Sequence, residues 1–296
     1  MAVPAPIDSA TVVVLRETSG VCEVLLVERH ANSRAFAGAH VFPGGRVDAA
    51  DASPPLQDLS PHLTPRAAAA RLGEGLAPPA ALAFWVAAIR ELFEEAGILL
   101  ARVDGVPVSF ADAETRARFA AHRAAVLTGT ASFADVLLAE RLELATDTLR
   151  YFSRWITPVN APRRYDARFF VAPVPSGQEP LHDDRETIST VWITPRAALD
   201  QARAGTMILT PPTVRTLDDL DALGTAACVL ADADGRTVSA ILPKPVQVDG
   251  RMAVLYPGDA DYDAVEAGAT LVDSGRGRRN RVVMLDGGWR SLRTPE

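Results

Sequence analysis

The apolar positions near the start of the chain come in two runs, residues 11–15 (T-V-V-V-L) and 22–29 (C-E-V-L-L-V-E-R), separated by Thr18-Ser19-Gly20. Short runs rich in valine and leucine around a glycine turn predict two strands. A third short strand is predicted at 40–42, before Pro43-Gly44-Gly45 breaks the chain. Residues 51–81 are rich in alanine and proline and carry one helix signal. Thr64 is a candidate N-cap, Pro65 the first helical residue and Gly73 the residue after the end. This segment reads as an inserted loop with a short helix.

The clearest helix is predicted over 83–96. Trp85, Val86, Ile89, Leu92, Phe93 and Ala96 follow the spacing i, i+1, i+4, i+7, i+8, i+11 and form one stripe at about 100° per residue. Gly97 is placed to end it. Further helices are predicted over 113–127, 133–142, 195–204 and 212–223, and strands over 151–156, 168–174 and 190–193. Interleaved strands and helices predict a mixed α/β chain.

The last 70 or so residues change character. Apolar runs 228–230 and 237–242 flank Asp234-Gly235, 246–248 and 252–255 flank Asp249-Gly250, and 282–285 and 289–292 flank Asp286-Gly287-Gly288. Asp-Gly between apolar runs is a strong hairpin signal. Three hairpins are predicted, as a small β appendage or as extra strands on the main sheet. Asp232-x-Asp234-Gly235 is similar in part to a calcium loop but lacks the rest of it, and reads as a turn.

Composition narrows the function classes. The 296 residues are 48% hydrophobic and 23% charged, which excludes disorder as the dominant state. A net charge of −7 argues against nucleic-acid binding, which needs a basic face. Two cysteines, Cys22 and Cys228, exclude a disulfide framework and fit a reducing compartment. The longest apolar run, 80–89, is half a membrane span. No signal peptide is read in residues 1–10, and the final residues, Arg293-Thr294-Pro295-Glu296, are not a peroxisomal tripeptide. A cytoplasmic protein that binds no membrane is the expectation.

The candidate chemistry lies on the helix over 83–96. Opposite its apolar stripe stand Glu91, Glu94 and Glu95, at i, i+3 and i+4 on one face. Three anionic groups that close repel one another, and a hard divalent cation offsets this while leaving room for phosphates and water. Arg90 beside them is suited to orient a carboxylate by a bidentate contact. Read without context, the pattern is more often a solvated acidic face.

The context is Arg90-Glu91-Leu92-Phe93-Glu94-Glu95-Ala96-Gly97-Ile98, which resembles, position for position, the second half of the Nudix box, R-E-U-x-E-E-x-G-U with U aliphatic. Gly45 and Asp51 resemble its first half, G-x5-E, with Asp in place of Glu. The acid and the arginine, usually separated by seven residues, are here separated by 38, so the box is split by an insertion of about 31. A subset of Nudix proteins, to which mammalian peroxisomal coenzyme A diphosphatases belong, has such an insertion and the sequence F-P-G-G-x-x-D. Upstream, residues 25–45 resemble the coenzyme A diphosphatase pattern L-L-T-x-R-[SA]-x3-R-x3-G-x3-F-P-G-G, with Val27 for Thr and His30 for Ser or Ala.

The resemblance implies an α/β fold, the Nudix α/β/α sandwich with a mixed sheet. A helical insertion (about 52–81) and a C-terminal β-rich extension (224–296) are added to a Nudix domain spanning 8–223. It implies a hydrolase that uses Mg²⁺ or Mn²⁺ to cleave a diphosphate linkage in a small-molecule nucleoside diphosphate derivative. Glu94, Glu95, Glu91, Gly45 and Asp51 would hold the metal, with Glu91 a ligand or a base and Arg90 orienting the carboxylates. Glu186, six residues before Trp192, stands where many relatives have a loop glutamate acting as base or ligand. Gly44 would approach the diphosphate closely. Arg29, Arg34, Arg163, Arg164 and Arg168 are candidates for the phosphates, each alternatively a surface ion pair. Phe169, Phe152 and Trp155 are candidates to stack on adenine, each alternatively core. Coenzyme A or acyl-coenzyme A, giving 3′,5′-ADP and 4′-phosphopantetheine or its acyl form, is the first expectation for substrate. ADP-ribose, NADH or a dinucleoside polyphosphate is the second, and a catalytically silent ligand-binding or regulatory module the third. The insert is expected to line the leaving-group side or, equally, to be a solvent-facing excursion. The assembly is left open, a homodimer being one option.

Overall fold

A computed structural model describes residues 4–30, 37–181, 187–273 and 275–294. The first run forms β1 (Ile7–Thr18) and the second β2 (Val21–Arg29), joined by a turn with Ser19 and Gly20 at positive φ. β3 (Ala39–Val41) and β4 (Gly44–Arg46) follow. The chain then enters a 3-10 turn at Ala49–Ala52 and three helices: α1 (Pro54–Asp58), α2 (Pro65–Leu72) and α3 (Pro78–Ala96). A small three-stranded sheet comprises β5 (Ala101–Val103), β6 (Val106–Pro107) and β7 (Glu143–Leu144), with α4 (Ala113–Thr128) and α5 (Phe133–Ala139) between. Strands β8 (Arg150–Ile156), β9 (Tyr165–Pro173) and β10 (Thr187–Ile193) return to the main sheet. Then come α6 (Pro195–Arg203), β11 (Ile208–Leu209), α7 (Pro211–Leu223), α8 (Ala226–Gly235) and β12 (Ala240–Ile241). The chain closes with β13 (Lys244–Val248), β14 (Arg251–Leu255), β15 (Thr270–Leu271), β16 (Asn280–Leu285) and β17 (Gly288–Arg293).

The main sheet runs β11-β3-β2-β1-β9-β8-β12, with β10 on β2 and β4 on β1. It is mixed: β1 and β9 are parallel, while β1–β2 and β8–β9 are antiparallel. The C-terminal half of β1 pairs with β2, and its N-terminal half pairs with β4 through Ser9–Arg46, Ala10–Gly45 and Thr11–Gly44. The glycine strand is thereby set beside the centre of the sheet.

β1 is buried on both faces, as a central strand must be. Val12 and Val14 point to one core with Leu25, Val27 and α3, while Val13 and Leu15 point to a second core with α6, α7 and α8. The result is an α/β/α sandwich. Its C-terminal sheet, β15-β13-β14-β16-β17, has a small core of its own in Val246, Val248, Ala253, Leu255 and Val283.

α3 starts five residues before the predicted helix because Pro78 and Pro79 occupy its first turn, where a missing N–H costs nothing. Gly97 ends it at φ 68, and its N–H donates to Phe93 O. The helix is buried almost all round, so Glu95 faces protein rather than solvent. The cause is the insert. Thr64 caps α2 and Gly73 ends it as predicted, but α1 and α2 pack on α3 and bury Leu56, Leu63, Ala68 and Leu72. The insert is thus no solvent excursion, and none of its described residues lines the large cavity of the molecule. It is part of the first core, and its Glu74 pairs with Arg154 and Arg168 of the sheet.

Two of the three predicted hairpins form, with Asp249-Gly250 and Asp286-Gly287 all at positive φ. The first does not. Residues 226–235 are α8, because the Thr225 hydroxyl accepts from Cys228 N and Val229 and Ala233, four apart, bury one stripe. Asp234-Gly235 ends that helix, and of the run 237–242 only β12 is a strand, parallel to β8.

Candidate active site

Arg90 organises the site. Its Nε donates to Asp51 Oδ1 (2.8 Å) and its two terminal nitrogens donate to Asp51 Oδ2 (2.9 Å), Arg46 O (2.8 Å), Glu91 Oε1 (2.8 Å) and Glu94 Oε1 (3.2 Å). One guanidinium therefore serves three carboxylates. Burial works against its charge, but the bond to Asp51 and the neighbouring carboxylates hold it protonated. Burial pushes Glu91 up to about 7 against the pull of Arg90, with Glu94 adding repulsion. Burial likewise raises Glu94. Both shifts come first from burial, with neighbouring carboxylates adding to it and Arg90 opposing it.

The glycine strand meets this cluster. Gly44 N donates to Glu95 Oε2 (2.9 Å), a carboxylate that is itself buried. Gly45 lies so close to Glu91 that a methyl group there would stand 2.5 Å from the carboxylate carbon and both oxygens. Only glycine leaves room for that carboxylate.

Asp51 departs from the expected metal role. It is 1% exposed, both its oxygens accept from Arg90, and Oδ2 also accepts from Asp48 N (2.8 Å). Its carboxylate is spent on holding Arg90, and the shorter aspartate reaches because the 3-10 turn brings it against α3.

Glu91, Glu94, Glu95, Arg90, Gly44 and Gly45 all line a cavity of about 1170 Å³. Arg29, Arg163 and Phe169 line it too. The Nε of Arg29 is buried with no hydrogen-bond partner among the described residues, so this guanidinium retains donor capacity for an anion. Arg163 is exposed at the cavity. Phe169 lines it while packing against Phe42 and Trp155.

Other predicted residues lie elsewhere. Arg164 is buried outside the lining, donating to Thr157 O (3.0 Å) and Pro4 O (2.9 Å), so it fixes a loop and not a phosphate. Arg168 is buried among Asp8, Asp166 and Glu74, and Phe152 is interior beneath Arg236. Arg34 and Glu186 lie outside the described residues. Among the described residues, no three His, Cys, Asp or Glu side chains form a ready cation cage. The glutamates instead turn toward Arg90 and Gly44 N. Their chemistry fits a hard cation: three clustered carboxylates on a cavity wall.

Sequence reasoning missed a whole wall. Pro243, Val246, Met252, Val254 and Trp289 of the C-terminal region line the same cavity, as do Ile208 and Pro212. Nothing in their local pattern distinguishes them from core or surface positions.

A glutamate-bearing helix braced by arginine against a glycine strand, at one face of an α/β/α sandwich, defines a Nudix hydrolase. The family model of the NUDT19 Nudix domain matches residues 9–220, and the chain belongs to that family. It is 32% identical over 225 residues to acyl-coenzyme A diphosphatase NUDT19 of Gallus gallus, covering 64% of this chain and 58% of that protein. To acyl-coenzyme A diphosphatase NUDT19 of Homo sapiens it is 28% identical over 275 residues, covering 81% of this chain and 72% of that one. Among solved structures, a NUDIX hydrolase from Alicyclobacillus acidocaldarius superposes with a TM-score of 0.64 at 26% identity, covering 80% of this chain and 99% of that one.

Proposed function

We propose that this hydrolase cleaves the diphosphate of coenzyme A or acyl-coenzyme A, with a bound Mg²⁺ or Mn²⁺, to 3′,5′-ADP and 4′-phosphopantetheine or its acyl form. The observation that carries the reading is the shortage of positive charge: Asp51, Glu91 and Glu94 share the single guanidinium of Arg90 beside the glycine strand. Glu94 and Glu95 are the residues that would hold the cation. The cation supplies Lewis-acid polarisation of the phosphoryl oxygens and a more acidic water.

The chain's own groups do the rest. Asp51 locks Arg90, and Arg90 orients Glu91 and Glu94. Gly44 N fixes Glu95. Water adds to one phosphorus, the bridging P–O bond breaks, and the proton leaves through a carboxylate. Glu91 suits that task, since Arg90 holds it at the cavity wall beside the other two glutamates. Arg29 and Arg163 supply donors for the phosphates away from the reacting bond. What supports coenzyme A over other nucleoside diphosphates is the similarity to relatives named acyl-coenzyme A diphosphatase.

The test is a hydrolysis panel with product mass spectrometry on coenzyme A, acyl-coenzyme A, ADP-ribose, NADH and diadenosine polyphosphates, with Mg²⁺ or Mn²⁺. Coenzyme A species should turn over fastest, and Glu94→Gln and Glu95→Gln should each cut turnover by orders of magnitude with little change in thermal unfolding. Faster cleavage of ADP-ribose than of every coenzyme A species would overturn the substrate, and near-wild-type turnover in both variants would overturn the metal assignment.

A further inference from the structure

The cavity has two kinds of wall. Near the glycine strand the lining is ionic, from Arg90, Glu91, Glu94 and Arg29. Among the described residues, the lining from residue 208 onward contains no ionisable side chain. Its only hydroxyls, on Thr210 and Thr213, bond to each other (2.8 Å). Two large apolar side chains on this wall, Ile208 and Met252, are 59% and 58% exposed. Side chains left this open on a concave wall offer an apolar ligand surface to cover. Much of this wall belongs to β13 and β14, beyond residue 220, where the match to the family domain ends.

The wall is fixed in place. The Tyr256 hydroxyl donates to Pro211 O (3.2 Å), Ser291 Oγ to Asp218 (2.9 Å) and Arg293 to Asp219 (2.7 Å), and Arg215 donates to Asn280. These bonds tie the C-terminal sheet to α7, whose first residues are themselves part of the lining. A preformed wall can discriminate ligands without the cost of ordering itself. Its volume also permits this: about 1170 Å³ is above the range that holds an ordinary small ligand, so a nucleotide end and a second, apolar end fit in one cavity.

We propose that this apolar wall, built jointly by β13 and β14 of the C-terminal sheet and by the 208–213 segment of the main domain, seats the acyl arm of an acyl thioester of coenzyme A and sets the preference for acylated over free coenzyme A. The inference rests on the coenzyme A reading above and adds to it a subsite and the residues that select within the class. Each methylene of an acyl chain laid on Ile208, Met252 and Val254 leaves water, and a few buried methylenes suffice for a tenfold preference.

The experiment compares kcat/KM for decanoyl-coenzyme A and for free coenzyme A in the wild type, Met252→Asp, Ile208→Asp and Met252→Leu, with circular dichroism to verify folding. Both sites are exposed, so the charged variants should fold. The ratio of decanoyl-coenzyme A to coenzyme A should fall about tenfold or more in each aspartate variant and stay near wild type in Met252→Leu. Using the ratio removes any general repulsion of an anionic substrate. A ratio unmoved by both aspartates overturns the acyl subsite while leaving coenzyme A hydrolysis standing. A second arm titrates decanoyl-pantetheine, which lacks the diphosphate, by intrinsic tryptophan fluorescence, since Trp155 and Trp289 line the cavity. Binding weakened about tenfold by Met252→Asp supports the wall even if the wild type hydrolyses no coenzyme A species, an outcome that would sink the function alone. Equal binding by both proteins overturns the wall.

Discussion

Gly44 and Gly45 are neighbours, yet a methyl group added to each should have opposite consequences. At Gly45 the new Cβ would lie 2.5 Å from Glu91 Cδ, Oε1 and Oε2. Carbon atoms in contact sit about 3.5–4 Å apart, so the carboxylate must retreat by roughly 1 Å. It is the free end of a flexible side chain at a cavity wall, and its retreat gives up the 2.8 Å bond from Arg90. The stability cost is about 1 kcal/mol, the net worth of one such bond when the released groups can find water. A misplacement of that size in a catalytic group costs about 100-fold in rate. At Gly44 the Cβ would instead meet the backbone of β1, 2.6 Å from Thr11 Cα, in the centre of the sheet. That strand cannot yield, and the cost is about 3 kcal/mol or more. Differential scanning calorimetry and metal-dependent turnover separate the two. Gly45→Ala should stay within about 4 °C of wild-type Tm with turnover down about 100-fold, and Gly44→Ala should lose roughly 6–12 °C. In a Glu91→Ala background the added methyl at Gly45 has nothing to displace, so the double variant should match Glu91→Ala in residual turnover. Wild-type turnover in Gly45→Ala, or a further loss in the double variant, would refute the idea that Gly45 exists to make room for Glu91.

Asp51→Asn should lower Tm by roughly 6–12 °C in calorimetry, because losing the buried carboxylate leaves Arg90 poorly paired at a cost of about 3 kcal/mol; a Tm within 2 °C would show that Asp51 does not brace the site. Glu91 has its pKa raised from 4.5 to about 7 in the folded protein, so its contribution to stability is present below pH 4.5 and is lost as pH rises through 7. In EDTA, the wild type should therefore lose up to roughly 3 kcal/mol relative to Glu91→Gln between pH 5 and 8, and parallel stability curves for the two would contradict the shift. Replacing residues 53–77 by a Gly/Ser linker strips Ala68 from the first core together with Leu56, Leu63 and Leu72, the leucines at roughly 1.5–3 kcal/mol each. That sum is comparable to a whole domain's stability, so the variant should show no cooperative unfolding transition, and a two-state melt near the wild-type Tm would restore the insert to a surface loop.

The features legible in the sequence were those set by neighbours along the chain. Thr64 capping α2, Gly97 ending α3 and Asp-Gly turning β13 into β14 each depend on a few adjacent residues, and each formed as read. The spacing of Glu91, Glu94 and Glu95 likewise follows from helical geometry, and all three line the cavity. Where a local signal failed, a stronger arrangement nearby overrode it: Asp234-Gly235 gave way to a helix capped by Thr225 and anchored by Val229 and Ala233. The remaining outcomes were decided by tertiary structure. Asp51 and Arg90, 39 residues apart, meet only because the insert folds into the core. Arg164 is consumed by the carbonyl of Pro4, 160 residues away. Much of the apolar wall of the cavity comes from strands near the end of the chain, held there by hydrogen bonds to α7 and by Val254, Tyr256 and Val282 packing in the second core. Caps, turns and helical faces are settled by bonds that close within one or two turns of chain. Which charge is neutralised, which side chain is buried and which wall faces the cavity depend on partners whose distance along the sequence says nothing about their distance in space.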